Sequence, residues 1–123
     1  MASVRGVWWT NSGTDAYDSL ENIQKTVKLI AASNLNTIYA DVWNKGFTQY
    51  PSKIMENLVG VPIQPKYAGR DPFGELVRES KKYNLSVYAW FEYGFAASYE
   101  GIPSAGILEQ YPQWAAIDNK VTD

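Results

Sequence analysis

The sequence predicts an α/β fold of parallel strands joined by helices, with about three βα units. Three observations carry that expectation. Short segments rich in β-branched and aromatic residues, 5–10, 37–43 and 86–92, alternate with segments of helical period. The middle one, Thr37 to Trp43, is apolar almost without interruption, as in a strand buried on both faces. Each pair of strands is separated by enough chain for a crossover helix, which implies parallel pairing and right-handed connections.

The elements follow in order. Arg5 to Thr10 reads as a short buried strand with Val7, Trp8 and Trp9 at its centre, and a polar turn follows at 11–15. Asp18, with Glu21 three residues on, offers a capping box. Leu20, Ile23, Val27, Ile30 and Ala31 then fall on one helical face, and Asn34 marks the stop. After the second strand, residues 44–70 read as one long loop rich in glycine, proline and polar residues. Loops longer than about 15 residues are usually functional or disordered. Asp71-Pro72 is a helix start, because proline lacks an N–H where none is needed. Phe73, Leu76, Val77 and Ser80 line the face of that helix, which ends near Asn84. Ser86 to Glu92 is the third strand. A glycine-containing loop, a short helix over about 104–111 and a turn-like tail from Asp118 complete a chain read as one domain, 1–123.

Composition removes whole classes of chemistry. The 123 residues contain no histidine and no cysteine. That excludes Ser-His-Asp and Cys-His catalysis, His- or thiolate-based metal sites and disulfides, so no metal and no cofactor is expected. Eleven basic against thirteen acidic residues leave a net charge of −2, with no basic stripe for nucleic acid. None of the nine glycines forms a G-x-G pair, and no phosphate loop is present. No charged leader precedes an apolar stretch, and no apolar run approaches the ~20 residues of a membrane span. Compartment stays open, because the absence of cysteine fits any of them. What remains for chemistry is carboxylates, hydroxyls, amides, lysine, arginine and a 15% share of aromatics.

In parallel α/β architectures the working residues sit at the C-terminal ends of strands and in the loops beyond. Those positions hold Thr10 and Asn11, then Asp41, Trp43 and Asn44, then Glu92 and Tyr93. Period-two alternation puts Tyr39, Asp41 and Trp43 on one face, and Tyr88, Trp90 and Glu92 on one face. Each face ends in aromatics and a carboxylate. Aromatics can stack on the C–H face of a sugar, and paired carboxylates can supply the acid and base of glycoside cleavage. Structural readings stand beside these. Asp41 can equally be a cap, and Trp8, Trp9 and Trp90 read as core. Arg70 reads as an ion-pair or loop anchor, and Lys81-Lys82 as a solvated face. Glu92 stands out, because a charge inside Trp-Phe-Glu-Tyr-Gly is costly unless something uses it.

Several motifs occur in a fixed order: Arg5-Gly6-Val7-Trp8, Asn36-Thr37-Ile38-Tyr39, Val42-Trp43-Asn44 and Tyr50-Pro51-Ser52. Gly69-Arg70-Asp71-Pro72, Trp90-Phe91-Glu92-Tyr93-Gly94-Phe95 and Tyr111-Pro112-Gln113-Trp114 follow. Together they resemble the N-terminal half of the bacterial glycosyl-hydrolase-like family 10 domain, over nearly the whole chain. The resemblance implies a partial (β/α)8 TIM barrel acting on a polysaccharide or peptidoglycan-type glycan. It carries over Glu92 and Asp41 as catalytic candidates. Its localisation would be bacterial, extracytoplasmic or cytoplasmic. Such a barrel takes about 250 residues, so the family's fourth strand and its catalytic carboxylate are expected outside this chain.

Three readings follow. In the first, the chain opens a glycoside hydrolase-like barrel, with Glu92 as acid/base or positioning carboxylate and Asn11, Trp43, Asn44, Tyr50 and Tyr93 lining the sugar subsites. The isolated chain is then expected to show no turnover. In the second, the same rim binds glycan without cleaving it. In the third, the open half-barrel face is a subunit interface. Three strands alone leave two open edges and exposed aromatics, so the expected partners are carbohydrate and either a second copy or the remainder of a larger barrel.

Overall fold

A computed structural model describes residues 3–94 and 106–119. The element order is β1 (Gly6–Trp9), α1 (Leu20–Ala32), β2 (Thr37–Asn44), β3 (Phe47–Thr48), α2 (Lys53–Val59), α3 (Pro72–Lys81), β4 (Ser86–Phe91) and α4 (Ile107–Gln110). Single 3-10 turns occupy Pro65–Tyr67, Glu92–Gly94 and Pro112–Trp114. The glycine-containing loop expected after the third strand, the start of the last helix and the end of the tail lie outside the described residues.

The fold is mixed α/β around a partly parallel sheet. β2 is central, with β1 parallel on one side and β4 parallel on the other. Consecutive βα units thus place their strands side by side, in the order expected of repeated right-handed crossovers. The register aligns Trp8 with Tyr39 and Tyr39 with Tyr88.

The core lies between this sheet and helices α1 and α3. Ile23, Val27 and Ile30 of α1 pack with Leu76 of α3 against Ile38 and Ala40 of β2, and Trp9, Tyr17, Ile63 and Tyr67 extend the cluster. Each fully buried aliphatic side chain of this kind contributes about 1.5–3 kcal/mol.

Several expectations are corrected. Residues 44–70 are not an irregular loop. Lys45 and Gly46 both take positive φ, 55° and 84°, the two-residue turn that suits a tight hairpin. β3 therefore folds back antiparallel on β2, pairing Phe47 with Asn44 and Thr48 with Trp43. Ser52 then caps α2, its side chain accepting from Met55 N. The sheet is consequently not wholly parallel, because a local turn was hidden inside polar composition.

Helix α1 starts one residue later than the capping box implies. Ser19 is its N-cap, accepting from Asn22 N at 3.0 Å, while Asp18 pairs with Lys66 at 2.7 Å. Asn34 does mark the end, in the left-handed region at φ 61°. Asp71 caps α3 as expected, accepting from Gly74 N, with Pro72 in the first turn.

The first strand is not buried throughout. Trp9 is in the core, but Trp8 is 65% exposed. β4 is an edge, and Tyr88 and Ala89 on it are exposed. The exposure of Trp8 and Tyr88 has one cause: among the described residues, α1 and α3 cover only one face of the sheet. On the other face Trp8, Tyr39, Tyr88 and Trp90 form an open aromatic row. Trp8 lies 5.0 Å from Tyr39 and 4.9 Å from Trp90, and Tyr39 lies 5.6 Å from Tyr88, centroid to centroid. Gly6 makes room for this row, since a Cβ there would sit 2.6 Å from the Tyr39 ring. Among the described residues, no helix is long and apolar enough to cross a membrane.

Candidate functional site

The C-terminal ends of β2 and β4 bring the two candidate carboxylates together. Asp41 pairs in register with Trp90, and Glu92 follows two residues later at the start of its turn. The Glu92 carboxyl lies within hydrogen-bonding reach of the Asp41 carboxyl and raises its value. Asp41 is fully buried and Glu92 half-buried.

A bulge positions the Asp41 side chain. From Asp41 to Trp43, β2 takes two steps where β4 takes one, from Trp90 to Phe91. Such an extra residue bends a strand and re-aims its side chains and amides. The Trp43 N–H donates to Asp41 Oδ1 at 3.1 Å, and Asn44 Nδ2 donates to Oδ2 at 2.9 Å. The Tyr17 hydroxyl donates to the Asp41 backbone carbonyl at 3.0 Å, which anchors the strand end from behind.

Competing forces set the protonation of Asp41. Burial, then the hydrogen bond and the charge of Glu92, push its carboxyl from 3.8 up to about 8. The two N–H donors pull the other way but do not win. With its value raised to about 8, the Asp41 carboxyl keeps its proton at neutral pH. Tyr17 is raised as well, by burial first and the charge of Asp41 second, so its phenol stays a neutral donor.

An amide network surrounds the pair. Asn11 and Asn44 bond each other through both amide groups. Asn11 Nδ2 also donates to Gln64 Oε1 at 2.9 Å, and Gln49 Nε2 donates to Asn44 Oδ1 at 3.2 Å. Gln49 Oε1 is buried and has no hydrogen-bond partner among the described residues.

The structure thus gathers Asp41, Glu92, Asn11 and Asn44 at one site. Trp43 is beside them but buried at 4%, so its ring is no open platform. Tyr93 is 85% exposed, next to Glu92, and takes the left-handed conformation at φ 52°. Tyr50 is placed elsewhere, lining a groove with Val42, Phe73, Val77 and Phe91 on the helix-covered face. Arg70 is the anchor expected of it: it donates to the carbonyls of Tyr17 and Asp18 and pairs with Glu75. Sequence reading missed Gln49, Gln64 and Tyr17. For Gln49 a signal existed, because Lys45-Gly46 between two β-prone segments marks a tight turn that returns Gln49 beside Asn44.

The sequence model of a family described as glycosyl hydrolase-like 10 matches residues 3–122, nearly the full chain. No curated protein matches.

Proposed function

The chain belongs to the glycosyl hydrolase-like 10 family, and on that premise we propose that it acts on a polysaccharide or peptidoglycan-type glycan at the Asp41–Glu92 site. Residues 1–123 are then one domain, the opening part of a (β/α)8 barrel in which β1, β2 and β4 are the first three barrel strands. The open aromatic face is the barrel interior, and the site lies at the strand C-termini where such barrels work.

One observation carries the reading: two adjacent parallel strands end with their carboxyl groups in contact. In this reading Glu92, the more accessible of the two, is the acid/base group that meets substrate, and Asp41 holds its proton behind it. Hydrogen-bond contact is closer than the roughly 5–5.5 Å that separates the carboxyls of a retaining glycosidase. Asp41 is therefore not the second carboxylate across the scissile bond, which falls to a further strand. Asn11 and Tyr93 border the sugar, and Tyr93 offers its ring for stacking.

A second reading has its own support. The aromatic row with Trp8 65% exposed and Tyr88 57% exposed suits a glycan-binding or self-associating half-barrel that does not cleave. Tryptophan fluorescence titrated with soluble peptidoglycan fragments and neutral polysaccharides, together with reducing-end release, separates the readings. The catalytic reading predicts quenching without release from this chain, because the second carboxylate falls to a further strand, and quenching that persists in Glu92→Gln. Quenching abolished in Glu92→Gln supports the binding role. The absence of any quenching overturns the glycan site.

A further inference from the structure

Every polar site on the Asn44 side chain is used. Its Nδ2 hydrogens go to Asp41 Oδ2 and to Asn11 Oδ1, and its Oδ1 accepts from Gln49 at 3.2 Å and from Asn11 at 3.3 Å. An amide with all four sites filled has one orientation, because a flip would set donor against donor and acceptor against acceptor. The side chain is also buried at 4% exposure, so water is no ready substitute partner.

We propose that Asn44, locked by Gln49 and Asn11, is a positioning residue that fixes the Asp41 carboxyl against Glu92 and sets how firmly the pair holds its proton. The β2–β3 hairpin has a role in this. Its two-residue turn returns the chain so that Gln49, five positions on, supplies the bond that orients Asn44. The inference rests on the assignment of Asp41 and Glu92 as the working pair, and it assigns Asn44 no contact with substrate.

Among the described residues, the ionisable groups interacting with Asp41 are Glu92, from the turn after β4, and Tyr17, from the segment before α1. Tyr67 and Asp71 lie beyond Tyr17. None is a cation. Arg70, beside the Tyr67 ring, is committed to Glu75. Neutral N–H donors are thus what these surroundings offer the charged form of Asp41, and Asn44 provides one of two. Removing a hydrogen bond to a charged group shifts its protonation by roughly 1–2 pH units.

The test is a 13C carboxyl NMR titration of the full chain across the neutral to alkaline range, with no glycan present. Asn44→Leu should raise the Asp41 midpoint by roughly 1–2 pH units. Asn44→Asp, which keeps the volume, should raise it too and add one further proton to the titration. Gln49→Leu should give a smaller rise, since Asn11 still holds Asn44. An Asp41 midpoint equal to that of the unaltered chain in folded Asn44→Asp overturns the proposal, whether or not Asn44→Leu folds. Failure of the glycan reading looks different: no glycan would quench the tryptophan fluorescence while these midpoints still move.

Discussion

Ile38 and Tyr39 are neighbours in β2, yet Ile38 is sealed against α1 and α3 while Tyr39 belongs to an aromatic row open to solvent. The two faces of one sheet are thus built from different materials. Val, Ile and Ala on the covered face supply the burial that holds the fold. Trp8, Tyr39, Tyr88 and Trp90 on the open face add less burial, and Asp41 and Glu92 at its end carry the candidate chemistry. Fold and function are separated by a single step along the strand, because successive side chains point to opposite faces.

The largest expected effect tests that division directly. Ile38→Ala should cost about 2–5 kcal/mol in urea unfolding, as buried large-to-small changes do. Trp8→Ala, at a position 65% exposed, should stay within about 1 kcal/mol, nearer the range of surface changes. Equal losses at the two positions, measured with the chain diluted to monomer, would break the comparison, because the aromatic face would then be covered within the chain itself.

The covered face was the more legible of the two in the sequence. Helical period placed Ile23, Val27 and Ile30 correctly, and Asp71-Pro72 marked the start of α3 to the residue. The continuous apolar run of β2 reads as a strand buried on both faces, and every residue of it except Tyr39 is buried. Exposure of Trp8 was not legible. An apolar residue in a strand reads as core until the covering elements are counted, and this sheet has helices on one face. The hairpin at Lys45-Gly46 was lost because a two-residue strand leaves no period to detect. At the site, alternation found Asp41 and Glu92 separately. Their contact depends on the register of β2 against β4, which no local pattern encodes.

A pH series distinguishes the carboxylate at the end of β2 from one between helices α1 and α3. Asp41 has a folded value of about 8 against 3.8 for the unfolded chain, so the folded state binds the extra proton between them. Its contribution is full below about pH 4, falls as pH rises toward 8 and then levels off, with a slope of at most about 1.4 kcal/mol per pH unit. Glu79 has the opposite sign. Its bonds to Lys82 and Gln24 lower its value, so its contribution is present above the unfolded value and lost as pH falls through the folded one. Urea midpoints from pH 4 to 9 should therefore decline in the unaltered chain and flatten in Asp41→Asn, whereas Glu79→Gln should alter the acid limb alone. A decline that persists in Asp41→Asn assigns it to other groups.

The open face also sets an expectation for assembly. Light scattering at several concentrations should give a dimer or larger for the unaltered chain. The pair Trp8→Asp and Tyr88→Asp should give a monomer with unchanged circular dichroism, because charges on an apolar contact cost far more in a complex than in solvent. A compact monomer in the unaltered chain would remove self-association as the cover for this face.

The smallest effect is expected at Tyr93, beyond the end of β4, where the demands of fold and site point in opposite directions. Its backbone lies at φ 52° and ψ 30°, a left-handed conformation that costs an ordinary L-residue about 1–2 kcal/mol. Glycine removes that cost but returns about 0.5–1 kcal/mol through the entropy of the unfolded chain. Tyr93→Gly should therefore stabilise the protein by roughly 0.5–1 kcal/mol, since a ring 85% exposed gives up little burial. If the ring stacks on sugar, the same variant should bind glycan more weakly while unfolding later. A gain in stability with unaltered glycan affinity would make Tyr93 a turn residue, and the site would then end at Glu92.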